Sequence, residues 1–279
     1  MWVWSKLSPI QWEDAWEERF HGNPNVVLTR LKGGRSVRVE VYCDEESEAI
    51  QVAEQFGGRV RKLEDKNWMA LTATPGPPIK IRGSLLVTPE VDPSRIRELV
   101  RIHGGRTVVR IPAEMAFGTG DHPTTASCLR FLADEAESHR GRPWRMLDLG
   151  CGSGVLAIAA NLLGAEECDA IDHDAKAVAV AWNNVDRNKA RGVTVTQEDL
   201  LQWVPVRQYE VVVANLFADV LEASFGKIGE MLDPAGAFIL SGVLREQWTR
   251  VEAQARKKGL AFSEVTRKGK WVSARGGFG

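Results

Sequence analysis

Cysteine is scarce in this 279-residue chain, and the four present (Cys43, Cys128, Cys151, Cys168) form no C-x-x-C pair and no Cys/His spacing of the kind that holds zinc. They read as reduced thiols, and no metal site is expected. An excess of either charge is also missing, since Lys and Arg number 36 against 37 Asp and Glu, for a net charge of −1. Without an overall positive field, broad salt-driven binding of a polyanion is disfavoured, and no direct nucleic-acid binding is expected. Long apolar runs are absent too. No stretch approaches the roughly 18 residues a membrane helix needs, and "MWVWSKLSPIQW" lacks the basic region, apolar run and cleavage site of a secretion signal. A soluble, cytoplasmic protein is expected.

What is present is 44% apolar content, over a length that favours two domains or one domain with an appendage. Residues 1–66 alternate short segments: "WVWSKL", then "PIQWEDAWEERF" with Ile10, Trp12, Trp16 and Phe20 on one helical face, then "NVVLTRL" and "SVRVEVY" joined by "KGGR", then "ESEAIQVAEQF" and "RVRKL". The order strand, helix, strand, strand, helix, strand predicts a small split β-α-β, ferredoxin-like domain. Its acid clusters (Glu13/Asp14/Glu17/Glu18, Asp44 to Glu48, Glu64/Asp65) read as solvated faces. In 67–112, the prolines of "TATPGPPIKIRG" break the pattern, which suggests a linker with one or two short strands such as "SLLVTP". From Trp144 onward apolar strands alternate with helices. That predicts an α/β domain at 113–279, a doubly wound and mostly parallel sheet, closed by two antiparallel edge strands in "GLAFSEVTRKGKWVSARGGF".

Two glycine-rich stretches carry the chemistry. In "LDLGCGSGVLAIAA", Gly150, Gly152 and Gly154 follow an apolar strand and open a helix of small residues. A dinucleotide loop needs a small third residue where Val155 stands, so NAD fits poorly, and no Gly-Lys-Ser/Thr follows to make a Walker loop. Alternate glycines at a helix N-terminus let backbone N–H groups approach a carboxylate. The next strand ends in "AIDHD", where Asp172 lies about 20 positions after the loop and can accept both hydroxyls of a ribose. An amino-acid carboxylate beside a nucleoside describes S-adenosylmethionine. "VTVTQEDL" puts Asp199 at the end of the third strand, either near an adenine amino group or as a helix N-cap. "VVVANLF" puts Asn215 at the carboxyl edge, where its amide offers both donor and acceptor to an amine or serves as a plain turn residue.

In the other stretch, "AFGTGDHPTT", Gly118 and Gly120 permit a tight turn, and Asp121 or His122 can cap the helix that Pro123 starts. Thr124 and Thr125 then place hydroxyls in its first turn. His122 is open to two roles, a base or a hydrogen-bonded structural residue. Two glycine loops imply one ligand held from two sides.

Taken together, "FGTGDHPTT", "LDLGCGSGVLAIAA", "IDHD", "VVVANL" and "GKWVSARGG", in this order and spacing, resemble the methyltransferases of ribosomal protein L-eleven (L11), the PrmA family of class I S-adenosylmethionine-dependent enzymes. The resemblance covers the catalytic half strongly and the N-terminal half in layout. It implies that "FGTGDHPTT" closes over the methionine end of the cofactor, that Thr125, Gly150, Asp172 and Asn215 bind it, and that the ferredoxin-like domain docks L11. Gly152 and Asp199 complete the expected cofactor site, with Asn215 orienting the amine and no dedicated base. Two other readings stand beside it: methylation of another protein lysine or a small molecule, and a non-catalytic module that senses S-adenosylmethionine. "NLF" lacks the prolines of the N-P-P-Y loop that grips a flipped base, which argues against DNA adenine methylation. A monomer is expected.

Overall fold

Residues Ser36–Cys43 bury every second side chain, Val37, Val39, Val41 and Cys43, as a strand with one wet face must. In the computed structural model, which describes all residues except 1, 21, 22, 24, 32, 33, 63–76, 113–119, 121 and 206, this strand lies inside the first of two units, Met1–Thr74 and Pro75–Gly279. The first unit runs β1 (Trp2–Pro9), a 3-10 turn at Ile10–Trp12, α1 (Glu13–Arg19), β2 (Val26–Arg30), β3 (Ser36–Cys43), α2 (Glu46–Phe56) and β4 (Arg59–Lys62). Its strands pair antiparallel in the order β2-β3-β1-β4, the ferredoxin-like arrangement. Trp4 is fully buried, with Trp16, Phe20 and Phe56 around it at ring-centroid separations of 5.4–6.2 Å within the cluster. Its indole Nε1 donates to Gly57 O at 2.6 Å, so the buried polar atom is satisfied.

Two details of that unit depart from the sequence pattern. Trp12 is 54% exposed, because the 3-10 turn before α1 advances three residues per turn and throws it off the face shared by Ile10, Trp16 and Phe20. Glu13 is buried, unlike the other acids of its cluster, whereas Asp44 to Glu48 are exposed as expected. Glu64 and Asp65 lie outside the described residues.

The second unit begins with β5 (Ile79–Ile81), β6 (Leu85–Thr88), α3 (Pro93–Ile102) and β7 (Thr107–Arg110), where β5-β6-β7 form a small sheet. Pro77 and Pro78 directly precede β5 and interrupt no element. Ile81, Leu85, Val87, Val109 and Ile111 join the same core as the large sheet, so from Pro75 onward the segment expected as a linker is part of the second unit. The helix α3 was not expected in this stretch; Asp92 caps it by accepting from Ser94 N and Arg95 N, with Pro93 in the first turn.

There follow α4 (Pro123–Ser138), β8 (Arg145–Leu149), α5 (Val155–Leu162), β9 (Glu167–Asp172), α6 (Ala175–Asn188), β10 (Val193–Gln197), β11 (Tyr209–Asn215), α7 (Ala218–Met231), β12 (Leu232–Leu244), α8 (Trp248–Lys257), β13 (Leu260–Lys268) and β14 (Trp271–Phe278). The sheet order is β10-β9-β8-β11-β12-β14-β13, parallel from β10 to β12. Its central strands read as unbroken apolar runs because helices cover both faces: Met146, Val211 and Val213 feed one core, Leu147, Leu149 and Val212 the other. Of the two expected edge strands only β13 is one. The hairpin returns inward, and β14 pairs antiparallel with both β12 and β13, which buries Val272, Ser273 and Ala274. Strand order reverses between β8 and β11, and the crevice outside their carboxyl ends is where open α/β sheets bind ligands. No helix among the described residues is long and apolar enough to cross a membrane.

Candidate functional site

At the end of β8 the chain turns through Gly150, Gly152 and Gly154, at φ +72°, +52° and +75°. These are left-handed conformations that side chains with a Cβ rarely adopt. Gly150 and Cys151 both donate to Ile171 O, at 2.9 and 3.0 Å, which lashes the loop to the end of β9. A Cβ on Gly150 would overlap Leu216 Cδ2, so the side chain following Asn215 fills the space that glycine leaves.

Asp172 closes β9 and is 8% exposed. Its carboxylate accepts from Gly152 N at 2.9 Å and from Asp174 N at 3.0 Å, and each oxygen retains a lone pair for a further donor. One strand back, Asp148 is completely buried; Oδ2 accepts from Ala157 N at 3.3 Å, and Oδ1 has no partner among the described residues. Burial pushes its carboxyl up to about 7, opposed by the Ala157 N–H and reinforced by the charge of Asp172. The sequence reading passed over Asp148, although an acid inside the apolar strand "RMLDLG" was the signal.

Thr125 and Asn215 meet across 90 residues of chain: Asn215 Nδ2 donates to Thr125 Oγ1 at 3.4 Å, with Thr125 1% exposed. Thr125 sits there because Pro123 starts α4 and His122 caps it. His122 Nδ1 lies 2.6 Å from Thr124 Oγ1 and also accepts from Thr124 N, while its ring meets Trp271 edge-on at 5.3 Å. His122 is thus a structural cap. Gly120, at φ +94°, rests against Val87 of β6; Ala116 to Thr119, including Gly118, and Asp121 lie outside the described residues.

Asp199 does two things. Its carboxylate caps the turn after β10, accepting from Leu201 N at 2.9 Å and Gln202 Nε2 at 2.8 Å. It also lines a cleft of about 330 Å³ with His173, Gln197, Glu198, Gln202 and Trp203, and the pairing Gln197↔Asp172 sets that cleft beside the end of β9.

One positioning residue escaped the sequence reading. Gly242, at φ +87°, interrupts the register of β12 with β14 between Leu240 and Val243. A Cβ there would overlap Leu216 O and lie 2.8 Å from Leu216 C. That close approach lets Leu216 N donate to Ser241 O at 3.1 Å. Leu216 is therefore gripped on its side chain by the Gly150 gap and on its backbone by the Gly242 gap, which fixes Asn215 beside the glycine loop. A glycine inside the apolar strand "ILSGVL" was the available hint.

The model of the ribosomal protein L11 methyltransferase (PrmA) family matches residues 33–277. A ribosomal protein L11 methyltransferase of Heliobacterium modesticaldum is 40% identical over 169 residues, which are 60% of this chain and 51% of the relative, so the match spans about half of that protein. One from Bordetella parapertussis is 33% identical over 272 residues, 94% of this chain and 81% of its own. Among solved structures, the ribosomal protein L11 methylase of Lactobacillus delbrueckii subsp. bulgaricus is similar with a TM-score of 0.55 at 27% identity, over 62% of this chain and 86% of that one.

Proposed function

The chain belongs to the ribosomal protein L11 methyltransferase family, and from that premise we propose that it transfers methyl groups from S-adenosylmethionine to amino groups of ribosomal protein L11. The observation that carries this reading is the meeting at the switch point of the glycine loop, Asp172, Thr125 and Asn215. Gly150 and Gly152 would hold the amino-acid end of the cofactor, and the buried Asp148 oxygen without a partner suits its ammonium group. Asp172 would take the ribose hydroxyls. Asp199, in the adjoining cleft, would face the adenine. When bound, the cofactor supplies an electrophilic methyl group on a sulfonium.

The protein's own residues act by position. With Nδ2 of Asn215 directed at Thr125, its Oδ1 is left to accept from an incoming amine. That amine must arrive neutral, and since a free lysine titrates near 10.4, removal from water has to favour loss of its proton. Alignment of amine and methyl group is then the main contribution. The ferredoxin-like unit would dock the protein substrate, and the enzyme would work in the cytoplasm as a monomer. Incubation of the purified protein with labelled S-adenosylmethionine and a matched cell lysate tests this. A single labelled band at L11 supports it; label in a different protein, or none, overturns it.

A further inference from the structure

Asparagine is a poor helix former, because its side chain competes for backbone groups nearby. Yet the last turns of α6 read "WNNVDRN", and two of those asparagines, Asn184 and Asn188, stand one turn apart on the buried face, whereas Asn183 is exposed. Burial of an amide costs free energy unless it is hydrogen-bonded, so both need partners. Asn184, with no exposed surface, donates from Nδ2 to Ser153 O at 3.0 Å and accepts at Oδ1 from Arg187 of its own helix. A guanidinium can only donate, which fixes the amide with its N–H toward Ser153. Asn188 holds both backbone groups of Arg110, accepting from N and donating to O at 2.8 Å each, and its Nδ2 also donates to Asn184 O at 2.8 Å.

These bonds seat α6 on the glycine loop. Asn188 ties the helix to the end of β7, and Ala181, one turn before Asn184, has its Cβ 3.2 Å from where a Cβ on Gly154 would stand. At the helix start, Asp174 N reaches Asp172. Inside the loop, Gly150 N and Cys151 N are taken by Ile171 O, Gly152 N by Asp172 and Gly154 N by Cys151 O at 2.8 Å. The Ser153–Gly154 peptide is thus held at both ends, its N–H by Cys151 and its carbonyl by Asn184. Glycine at 150, 152 and 154 gives such a loop many conformations to lose, and each restraint made before a ligand arrives lowers the cost of binding it.

We propose that Asn184, backed by Asn188, is a positioning residue for the cofactor, presetting the glycine loop that receives the amino-acid end. This rests on the reading of that loop as part of the S-adenosylmethionine site, and it adds a residue that acts through the loop rather than on the ligand. A selectivity follows. The loop serves the amino-acid part, while ribose and adenine are assigned to Asp172 and Asp199, whose recorded partners do not include Asn184. A ligand without the amino-acid group is therefore indifferent to Asn184.

Calorimetry on the full-length protein, well below its melting temperature, measures two ligands: S-adenosylhomocysteine, and 5′-methylthioadenosine, which keeps the nucleoside and lacks the amino-acid group. Asn184→Asp keeps the shape and the Arg187 contact and turns the donor facing Ser153 O into an acceptor. It should bind S-adenosylhomocysteine about threefold to tenfold more weakly than wild type while holding 5′-methylthioadenosine as before. Asn188→Asp leaves the Ser153 bond in place and loosens α6 behind it. It should show the same selectivity at about twofold to threefold, and it decides the matter if Asn184→Asp does not fold. Val251→Ala, a truncation on the buried face of α8 in the other core, lowers the melting temperature and should leave both affinities unchanged. Unchanged S-adenosylhomocysteine affinity in both asparagine variants, or an equal loss for the two ligands, would overturn the proposal. Wild-type protein that binds neither ligand would refute the cofactor reading itself, and the proposal with it.

Discussion

Replacing Gly242 with alanine tests whether the grip on Leu216 sets the site. Two costs are expected. An alanine held at φ +87° costs about 1–2 kcal/mol for the left-handed backbone alone. Its Cβ also overlaps the backbone of Leu216, with Leu216 N at 3.1 Å and C at 2.8 Å, and a backbone cannot swing aside as a side-chain tip can. Overlap of this kind adds about 1–3 kcal/mol. Gly259, which follows α8 at φ +79° with nothing within 4 Å of its Cβ position, supplies the control, since Gly259→Ala incurs the first cost without the second. At about 2–4 °C per kcal/mol for a unit of this size, Gly242→Ala should melt roughly 2–12 °C below Gly259→Ala. The distinguishing readout is functional. Relief of the overlap must push Leu216 from Ser241 O and carry Asn215 with it, so the folded Gly242→Ala protein should lose methyl transfer at 25 °C while Gly259→Ala keeps it. Equal melting temperatures, or equal transfer rates, would refute the idea that this close approach positions Asn215.

Asp172→Ala removes an acceptor of two backbone N–H groups and of the proposed ribose contacts, and calorimetry should show S-adenosylhomocysteine binding weakened about tenfold to a hundredfold; unchanged affinity would sink the ribose assignment. Asp148, whose carboxyl is raised to about 7, keeps a proton that the unfolded chain has lost between about pH 4 and 7, so its contribution is fully present at low pH and falls as pH rises through that window. Asp148→Asn should therefore gain melting temperature relative to wild type on going from pH 5 to pH 8, and a constant difference would contradict the assigned shift. Thr125→Val should lower transfer about twofold to tenfold by releasing the Asn215 amide, with Thr125→Ser restoring it; if Val and Ser behave alike, the hydroxyl does not orient Asn215.

Much of the catalytic half could be read before folding, because its signals are local. A strand buried on both faces must be continuously apolar, as Val211 to Ala214 are, and a left-handed turn before a helix calls for glycine, as at Gly150 and Gly154. Order along the chain then placed Asp172 and Asn215 at strand ends on one edge. The first unit was legible for the same reason, down to its antiparallel layout, except where the 3-10 turn shifted Trp12 out of phase.

What the sequence could not decide depends on partners distant along the chain. Whether a proline-rich stretch links or packs depends on the core it meets, and Ile81, Val87 and Val109 met the core of the large sheet. Whether β14 lies at the edge or inside depends on which way a hairpin folds back, which its alternation does not encode. The raised carboxyl of Asp148 comes from the depth of its burial, and the role of Gly242 from an approach to Leu216 that exists only once β11 and β12 lie side by side. Periodicity and turn chemistry act within a few residues and are written in the order of the chain; desolvation and close packing are properties of atoms brought together from far apart, and only the tertiary structure fixes them.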